Sequence, residues 1–561
     1  MIGTTGDGRQ VLLLKEGTSQ TRGREALNNN IAAAKIVASM LKTVLGPRGM
    51  DKMLVDSMGG VTITNDGATI LKEMDVQHPA AKMMVEIAKA VDNEVGDGTT
   101  SSVIIAGALL EKAEELIKQG IHPTIIVDGY REAMRQALDI LNKVAEDVKL
   151  DNDHAILKHI ARTSMESKIV SVDSDALSDL AVEAILAIAE TVPQLETSND
   201  IGYAVVDLDN VKIQKKPGGA MSESSLIRVI IIDKEIAHSE MPRMIKNAKI
   251  LLLNAPLEIE KTEFDAKITI ERPAQMQMFL DEEGRMLKSM ADKIASVHAN
   301  IVICQKGIDD VVLEYLTKAN ILAVKRVKES DINALAKATT GRVVTNLDDI
   351  STKDLGFAQL VEQRKVENDK WVFVEKCKNP KAVSILIRGG SDRVVEEAER
   401  SMHDALMVVK DVVQKPAIVA GGGSPEAFLS RMLRTWASGI SGRQHYDILA
   451  FADAMDSIPI TLAENAGMDV IDTLAGLHSK QLLENNPWIG VDVKGLKVAD
   501  MRKKNIIEPL AVKEQVLKSA TETTAMLLRI DDVLCLTRRC YGLVQFHCRS
   551  SSKVIAQRAK Q

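Results

Sequence analysis

Aromatic residues make up only 3% of this 561-residue chain, so its cores must be assembled from Ala, Val, Ile, Leu and the 24 methionines. Cysteine is also scarce. Five are present and no Cys-x-x-Cys pair occurs, which excludes a disulfide framework and fits a reducing cytosol. No zinc-ligand spacing stands out, and the ten histidines are scattered. No uninterrupted apolar run approaches the length that spans a bilayer, and the start of the chain lacks the charged and apolar regions of a signal peptide. Positive charge is not in excess: the formal net charge is −7, which argues against nucleic acid as the main partner. No Gly-x-x-x-x-Gly-Lys-[Ser/Thr] run is found, which removes the Walker-type ATPases, and there is no His-Glu-x-x-His or Gly-x-Ser-x-Gly.

What the chain does have is glycine loops and aspartates. Asn93-Glu94-Val95-Gly96-Asp97-Gly98-Thr99-Thr100-Ser101-Ser102 sets an aspartate between two glycines and runs into an apolar helix. Free N–H groups at a helix start attract phosphate. Asp97 would repel a bare phosphate but suits one that arrives with Mg2+, a cation that takes oxygen ligands. The same ten residues also read as an ordinary capped helix start. Leu45-Gly46-Pro47 and Gly421-Gly422-Gly423 are further glycine turns. Asp66, in Asn65-Asp66-Gly67, reads as a turn former, and Asp404 sits off the apolar stripe of its helix.

At 561 residues, 45% of them hydrophobic and 27% charged, the chain reads as several globular domains. Helical periodicity runs from Ala26 to Val44 with Ile36, Val37, Met40, Leu41 and Val44 on one side, and stops at Leu45-Gly46-Pro47. Val55–Thr64 reads as a hairpin about Gly59-Gly60, and Pro79 opens another helix. Short apolar runs at Ile227–Ile232, Ile250–Leu253, Ile301–Ile303 and Ile321–Val324 alternate with helices, a pattern that favours parallel strands. After Pro273 comes an amphipathic segment with Met276, Phe279, Leu280, Leu287, Met290 and Ile294, which fits core packing or an adaptable sticky surface. Gly218-Gly219 and Gly389-Gly390 bracket this α/β region, while both ends of the chain share a helical texture. The layout is nested, with two paired hinges.

Several blocks, in order along residues 10–533, resemble the group II chaperonins of archaea and the eukaryotic cytosol. They are Leu45–Val55, Ile63–Leu71, His78–Lys82, Val95–Thr100, Leu386–Gly390, Gly421–Gly423 and Leu462–Gly467. The run from Asn254 to Glu258 resembles the archaeal thermosome branch in particular. The resemblance implies a multidomain α and α/β fold: a mostly helical equatorial domain (1–150 and 413–533), a small α/β intermediate domain (151–222 and 376–412) and an α/β apical domain (223–375) with a helical protrusion near 255–290. It implies a cytoplasmic, ATP-dependent chaperone. Copies of the chain or paralogous subunits would form two stacked rings, commonly of eight or nine members each, about sixteen to eighteen in all. The rings would enclose unfolded polypeptides and close a lid through ATP hydrolysis. A ring scaffold or holdase with little turnover is the alternative.

Roles carry over by position. The resemblance implies that Leu45, Gly46 and Pro47 wrap the phosphates of ATP or ADP, that Asp97 holds Mg2+, and that Gly98, Thr99, Thr100 and Ser101 contact phosphate oxygens. Asp404 would orient the attacking water with Asp66 as a second carboxylate, Lys168 would sense the γ-phosphate, and Gly422 and Glu508 would line the nucleoside side. Residues 534–561 depart from the family. This stretch carries three of the five cysteines and no acidic residue, and is expected to be a disordered basic tail.

Overall fold

Small residues recur every three or four positions along Gly23–Lys42, and that helix turns Ala26, Ile31, Ala34, Val37, Ala38 and Leu41 inward. Of the stripe expected from periodicity, Val37, Leu41 and Val44 are buried, whereas Ile36 and Met40 lie on the exposed side. Alanine wins the inner face because the Thr99–Lys118 helix approaches so closely: a Cβ added at Gly107 would stand 2.3 Å from Ala38 Cβ. The structure, a computed structural model, describes residues 2–4, 10–12, 19–148, 154–191, 204–227, 229–259, 273–366, 369–377 and 383–535. These fall into two compact units, one made of the chain up to Ser178 and again from Arg400, the other of Asp179–Glu399.

The first unit is mainly helical. Helices Gly23–Lys42, Pro79–Val95, Thr99–Lys118, Pro123–Val144, Arg443–Met455 and Leu510–Leu528 pack around one large aliphatic core. Both ends of the chain contribute to it. Thr524 Oγ1 donates to the Ala106 carbonyl, 418 residues away in sequence. Strand Ser19–Arg22 pairs antiparallel with Asp532–Cys535, so regular structure continues two residues into the expected tail, and residues 536–561 lie outside the described residues. The expected hairpin is present, with its strands at Lys52–Val55 and Val61–Thr64 and its turn at Asp56–Gly60.

One buried carboxylate stands apart in this core. Asp447 is 0% exposed, and among the described residues neither of its side-chain oxygens has a hydrogen-bond partner. Burial pushes its pKa up to about 6. The folded state therefore holds the proton more tightly than the unfolded chain does. The stability this provides is complete below about pH 4 and is lost as pH rises through 6. Asp447→Asn should stabilise the protein by about 2 kcal/mol at pH 8 and flatten its thermal stability between pH 5 and 8. A variant melting no higher than wild type at pH 8 would refute this.

The second unit holds a seven-stranded sheet. Met244–Leu253, Ile301–Cys304 and Leu322–Val324 run parallel as their apolar runs led one to expect. The sheet is nonetheless mixed. Gly356–Val366 pairs antiparallel with Met244–Leu253, and the hairpin partner Asp369–Cys377 pairs antiparallel with Val229–Ile232. The expected single strand Ile227–Ile232 is two, Ser225–Ile227 joining a separate sheet with Val383–Gly389 and Val211–Pro217. The two Gly-Gly breaks lie side by side there, with Gly218 N–H donating to Gly389 O at 2.8 Å. On the Pro273–Ser296 helix, Leu287 and Ile294 are buried in the sheet's core. Residues 260–272, and the side chains of Met276, Phe279 and Leu280, lie outside the described residues.

Candidate functional site

Two helices start at the same place. Asp66 caps Gly67–Glu73, its Oδ2 accepting from Thr69 N–H at 2.8 Å and its Oδ1 from Ala68 N–H at 3.3 Å. Thr99, the first residue of Thr99–Lys118, donates its hydroxyl to Asp66 Oδ1 at 3.4 Å. A Cβ at Gly67 would meet Thr100 Oγ1 at 2.5 Å. Asp66 thus occupies the start of Gly67–Glu73, while Thr99–Lys118 opens at Gly98 without a side-chain cap, and its free N–H groups and positive dipole end make a setting that favours anions.

The loop between Val95 and Thr99 needs its glycines. Gly96 ends one helix at φ 70°, its N–H donating to Asp92 O, and Gly98 opens the next at φ 80°. An added Cβ would stand 2.4 Å from Met407 Cβ at Gly96 and 2.6 Å from Val516 Cγ2 at Gly98. Asp97, between them, accepts from Gly98 N–H at 2.6 Å. Gly96→Ala should therefore destabilise the fold by about 3 kcal/mol, combining left-handed backbone strain with overpacking. Gly120→Ala, at φ 90° with nothing within 4 Å of its Cβ, should lose only the backbone share of about 1 kcal/mol. Equal urea midpoints for the two variants would contradict the contact with Met407.

Leu45, Gly46, Pro47, Asp97, Gly98, Ser101, Gly422 and Glu508 line one cleft of about 1000 Å³, part of it open to solvent. Asn465 braces its rim by donating to the carbonyls of Lys42 and Leu45, both at 2.8 Å. The Gly421–Gly423 turn follows strand Ala417–Ala420, and Gly422 O accepts from Val491 N–H at 2.9 Å. Thr163, Ser164, Glu166 and Ser167 add a wall of polar side chains.

Five residues singled out from the sequence do not line the cleft: Asp66, Thr99, Thr100, Lys168 and Asp404. Asp66 sits behind Thr99, as described. Lys168 directly follows Ser167, and its ammonium forms a buried ion pair with Asp404 Oδ2. All of these lie in the first unit. Burial opposes the charge on Lys168, but Asp404, Asp66 and Asp97 outweigh it and hold its pKa above the usual lysine range. Burial raises the Asp97 carboxyl against the pull of Lys168. The charges of Asp404, Asp66 and Asp97 thus act together on one ammonium.

Sequence reading missed two neighbours. Asp92, on the last turns of Pro79–Val95, is pushed up to about 6 by burial and by Asp66 and Asp404. His403 is raised by its hydrogen bond to Asp404. Spacing from Gly96 could have flagged Asp92; nothing local marks His403.

The TCP-1/cpn60 chaperonin family model matches residues 37–538. The chain belongs to this chaperonin family. It is 52% identical over 529 residues to a thermosome subunit of Methanopyrus kandleri, covering 94% of this chain and 95% of that one. It is likewise 52% identical over 527 residues to thermosome subunit alpha of Archaeoglobus fulgidus, covering 94% and 95%. The alpha subunit of Sulfolobus acidocaldarius is 51% identical over 536 residues, covering 93% and 94%. Among the described residues of this chaperonin chain no helix is long and apolar enough to cross a membrane.

Proposed function

We propose that this chaperonin subunit binds ATP with Mg2+ in the cleft of its first unit and couples hydrolysis to the folding of enclosed polypeptides. The carrying observation is that Asp97, the start of the Thr99–Lys118 helix at Gly98 and Ser101, and the Leu45–Pro47 turn line one cleft. Mg2+ commonly uses one or two protein carboxylates and completes its shell with phosphate oxygens and water, so Asp97 fits as its protein ligand. When bound, the ion neutralises charge on the phosphates and polarises the bond to be broken. Gly98, Thr99, Thr100 and Ser101 present backbone and hydroxyl donors to phosphate oxygens. Lys168 offers its ammonium to the terminal phosphate, and Asp404 orients the attacking water and receives its proton. Asp404 is engaged by Lys168, so moving the ammonium onto a phosphate would free the carboxylate. Asp66 holds Thr99 and the second helix start in register beside it.

The proposed assembly is a cytoplasmic double ring of this chain or paralogues, with the chain divided into equatorial, intermediate and apical domains at the boundaries given above. The thermosome names of its relatives and the paired Gly-Gly breaks support this reading. Native mass measurement, joined to ATP-dependent recovery of a denatured test protein, examines both parts. A single 61.2 kDa subunit without refolding activity would overturn the reading. A ring that suppresses aggregation equally well with and without ATP would favour the holdase.

A further inference from the structure

Residues 166–168 are held from two sides. The helix His154–Met165 ends just before them, and Glu166 N–H still donates to Arg162 O at 3.0 Å. From there the side chains of Glu166 and Lys168 go to different partners. Lys168 pairs with Asp404, as described. Glu166 Oε1 lies 2.9 Å from Lys494 Nζ and accepts from Arg162 Nε at 3.2 Å. Glu166, Ser167 and Lys494 all line the cleft.

Lys494 is offered by a braced support. It sits in the turn between strands Ile489–Asp492 and Lys497–Asp500. Asp492 fixes that turn: its Oδ1 accepts from Gly495 N–H at 2.8 Å, and its Oδ2 lies 3.1 Å from Lys504 Nζ. The bond from Val491 N–H to Gly422 O ties the same hairpin to the triple-glycine turn.

The Glu166–Lys494 pair thus joins two segments of the cleft wall that are far apart in the chain. It lies toward solvent, with the Lys494 side chain 60% exposed and that of Glu166 18%. An ion pair so placed adds little to folding stability and opens readily. Nor is Lys494 needed to neutralise Glu166, because Arg162 already does so from one turn back on the same helix. What Lys494 adds is a bridge.

We propose that Glu166 and Lys494 form an electrostatic strap across the mouth of the cleft, which opens to let a nucleotide in or out and so sets the rate of exchange. The proposal rests on the nucleotide-binding reading above and adds what governs entry and release. It also links release to the chemistry. When Lys168 leaves Asp404 for a phosphate, the bond of Glu166 to Lys494 still holds the segment two residues away.

The test uses the assembled full-length protein loaded with N-methylanthraniloyl-ADP and chased with excess ADP, release being followed by stopped-flow fluorescence. Glu166→Gln and Lys494→Met should each speed release about threefold to fivefold, the upper part of the range for a partly exposed ion pair. Entry should quicken alongside, leaving the affinity nearly unchanged. The double variant should release no faster than the quicker single one, because both substitutions remove the same bond. Raising salt from about 50 mM to 500 mM should bring wild type toward the variants and scarcely move the variants themselves. A merely structural role would show neither the non-additivity nor this salt response. If Glu166→Gln fails to assemble, Lys494→Met, at a largely exposed position, carries the comparison through its salt response. Wild-type release rates in both single variants, or effects that multiply in the double one, would overturn the strap. Slower release in Glu166→Gln with faster release in Lys494→Met would also overturn it, by making Lys494 a direct contact of the phosphates. Failure of wild type to bind the ADP analogue would instead overturn the nucleotide reading, and the strap with it.

Discussion

Asp404→Asn should bind ATP within a few-fold of wild type and hydrolyse it at least about 100-fold more slowly, the lower part of the range for loss of a general base. The reasoning starts from the bonds each carboxylate already makes. Asp66 has its oxygens engaged by two backbone N–H groups and the Thr99 hydroxyl, all fixed by helix geometry. Asp404 is tied chiefly to the Lys168 ammonium, a flexible partner that a phosphate can take over. Of the two, Asp404 is the carboxylate that can be released to meet a water. Asparagine keeps the shape and a hydrogen bond but cannot take a proton. Single-turnover hydrolysis with separately measured ATP affinity distinguishes the outcomes. Turnover within threefold of wild type would remove Asp404 from the chemistry.

Asp97→Ala should abolish the dependence of nucleotide affinity on Mg2+ and weaken binding in excess Mg2+ by about 100-fold, as expected when a metal loses its protein ligand. Asp97 lines the cleft beside the start of Thr99–Lys118, whereas Asp66 and Asp404 do not line it. Without it the site keeps its N–H donors, so ADP alone should bind the variant no worse than it binds wild type in chelator. ADP titrations with and without chelator supply the four affinities. An unchanged Mg2+ effect in the variant would assign the ion to another ligand.

Much of this is legible in the sequence. The helix bounded by Pro79 and Gly96 has a fixed beginning and end because proline suits a first turn and glycine a left-handed stop, and both are local properties. The resemblance implies the site residues at 45–47, 97–101, 422 and 508, and of these all but Thr99 and Thr100 line one cleft. What failed to show was non-local. The inner face of Gly23–Lys42 follows alanine because another helix comes close, which periodicity of large residues cannot reveal. The antiparallel half of the sheet rests on Gly356–Val366 and Asp369–Cys377, whose charged outward residues hide their strands among polar sequence. Lys513 was overlooked because a lysine between Val512 and Val516 reads as an exposed position until its two carboxylates arrive from residues 426 and 508.

The bond between Thr524 and Ala106, and the pairing of the two chain ends, have a consequence for synthesis. A ribosome adding about 5–20 residues per second needs roughly 20–80 s to span that separation of 418 residues. Through that interval the helices of the N-terminal part have no partner for the faces that Arg443–Met455 and Leu510–Leu528 will cover. No nascent fragment ending before Glu508 contains the whole cleft. Under the nucleotide-binding reading, the site is complete only after Glu508 has been added and its strand has met the segments made first.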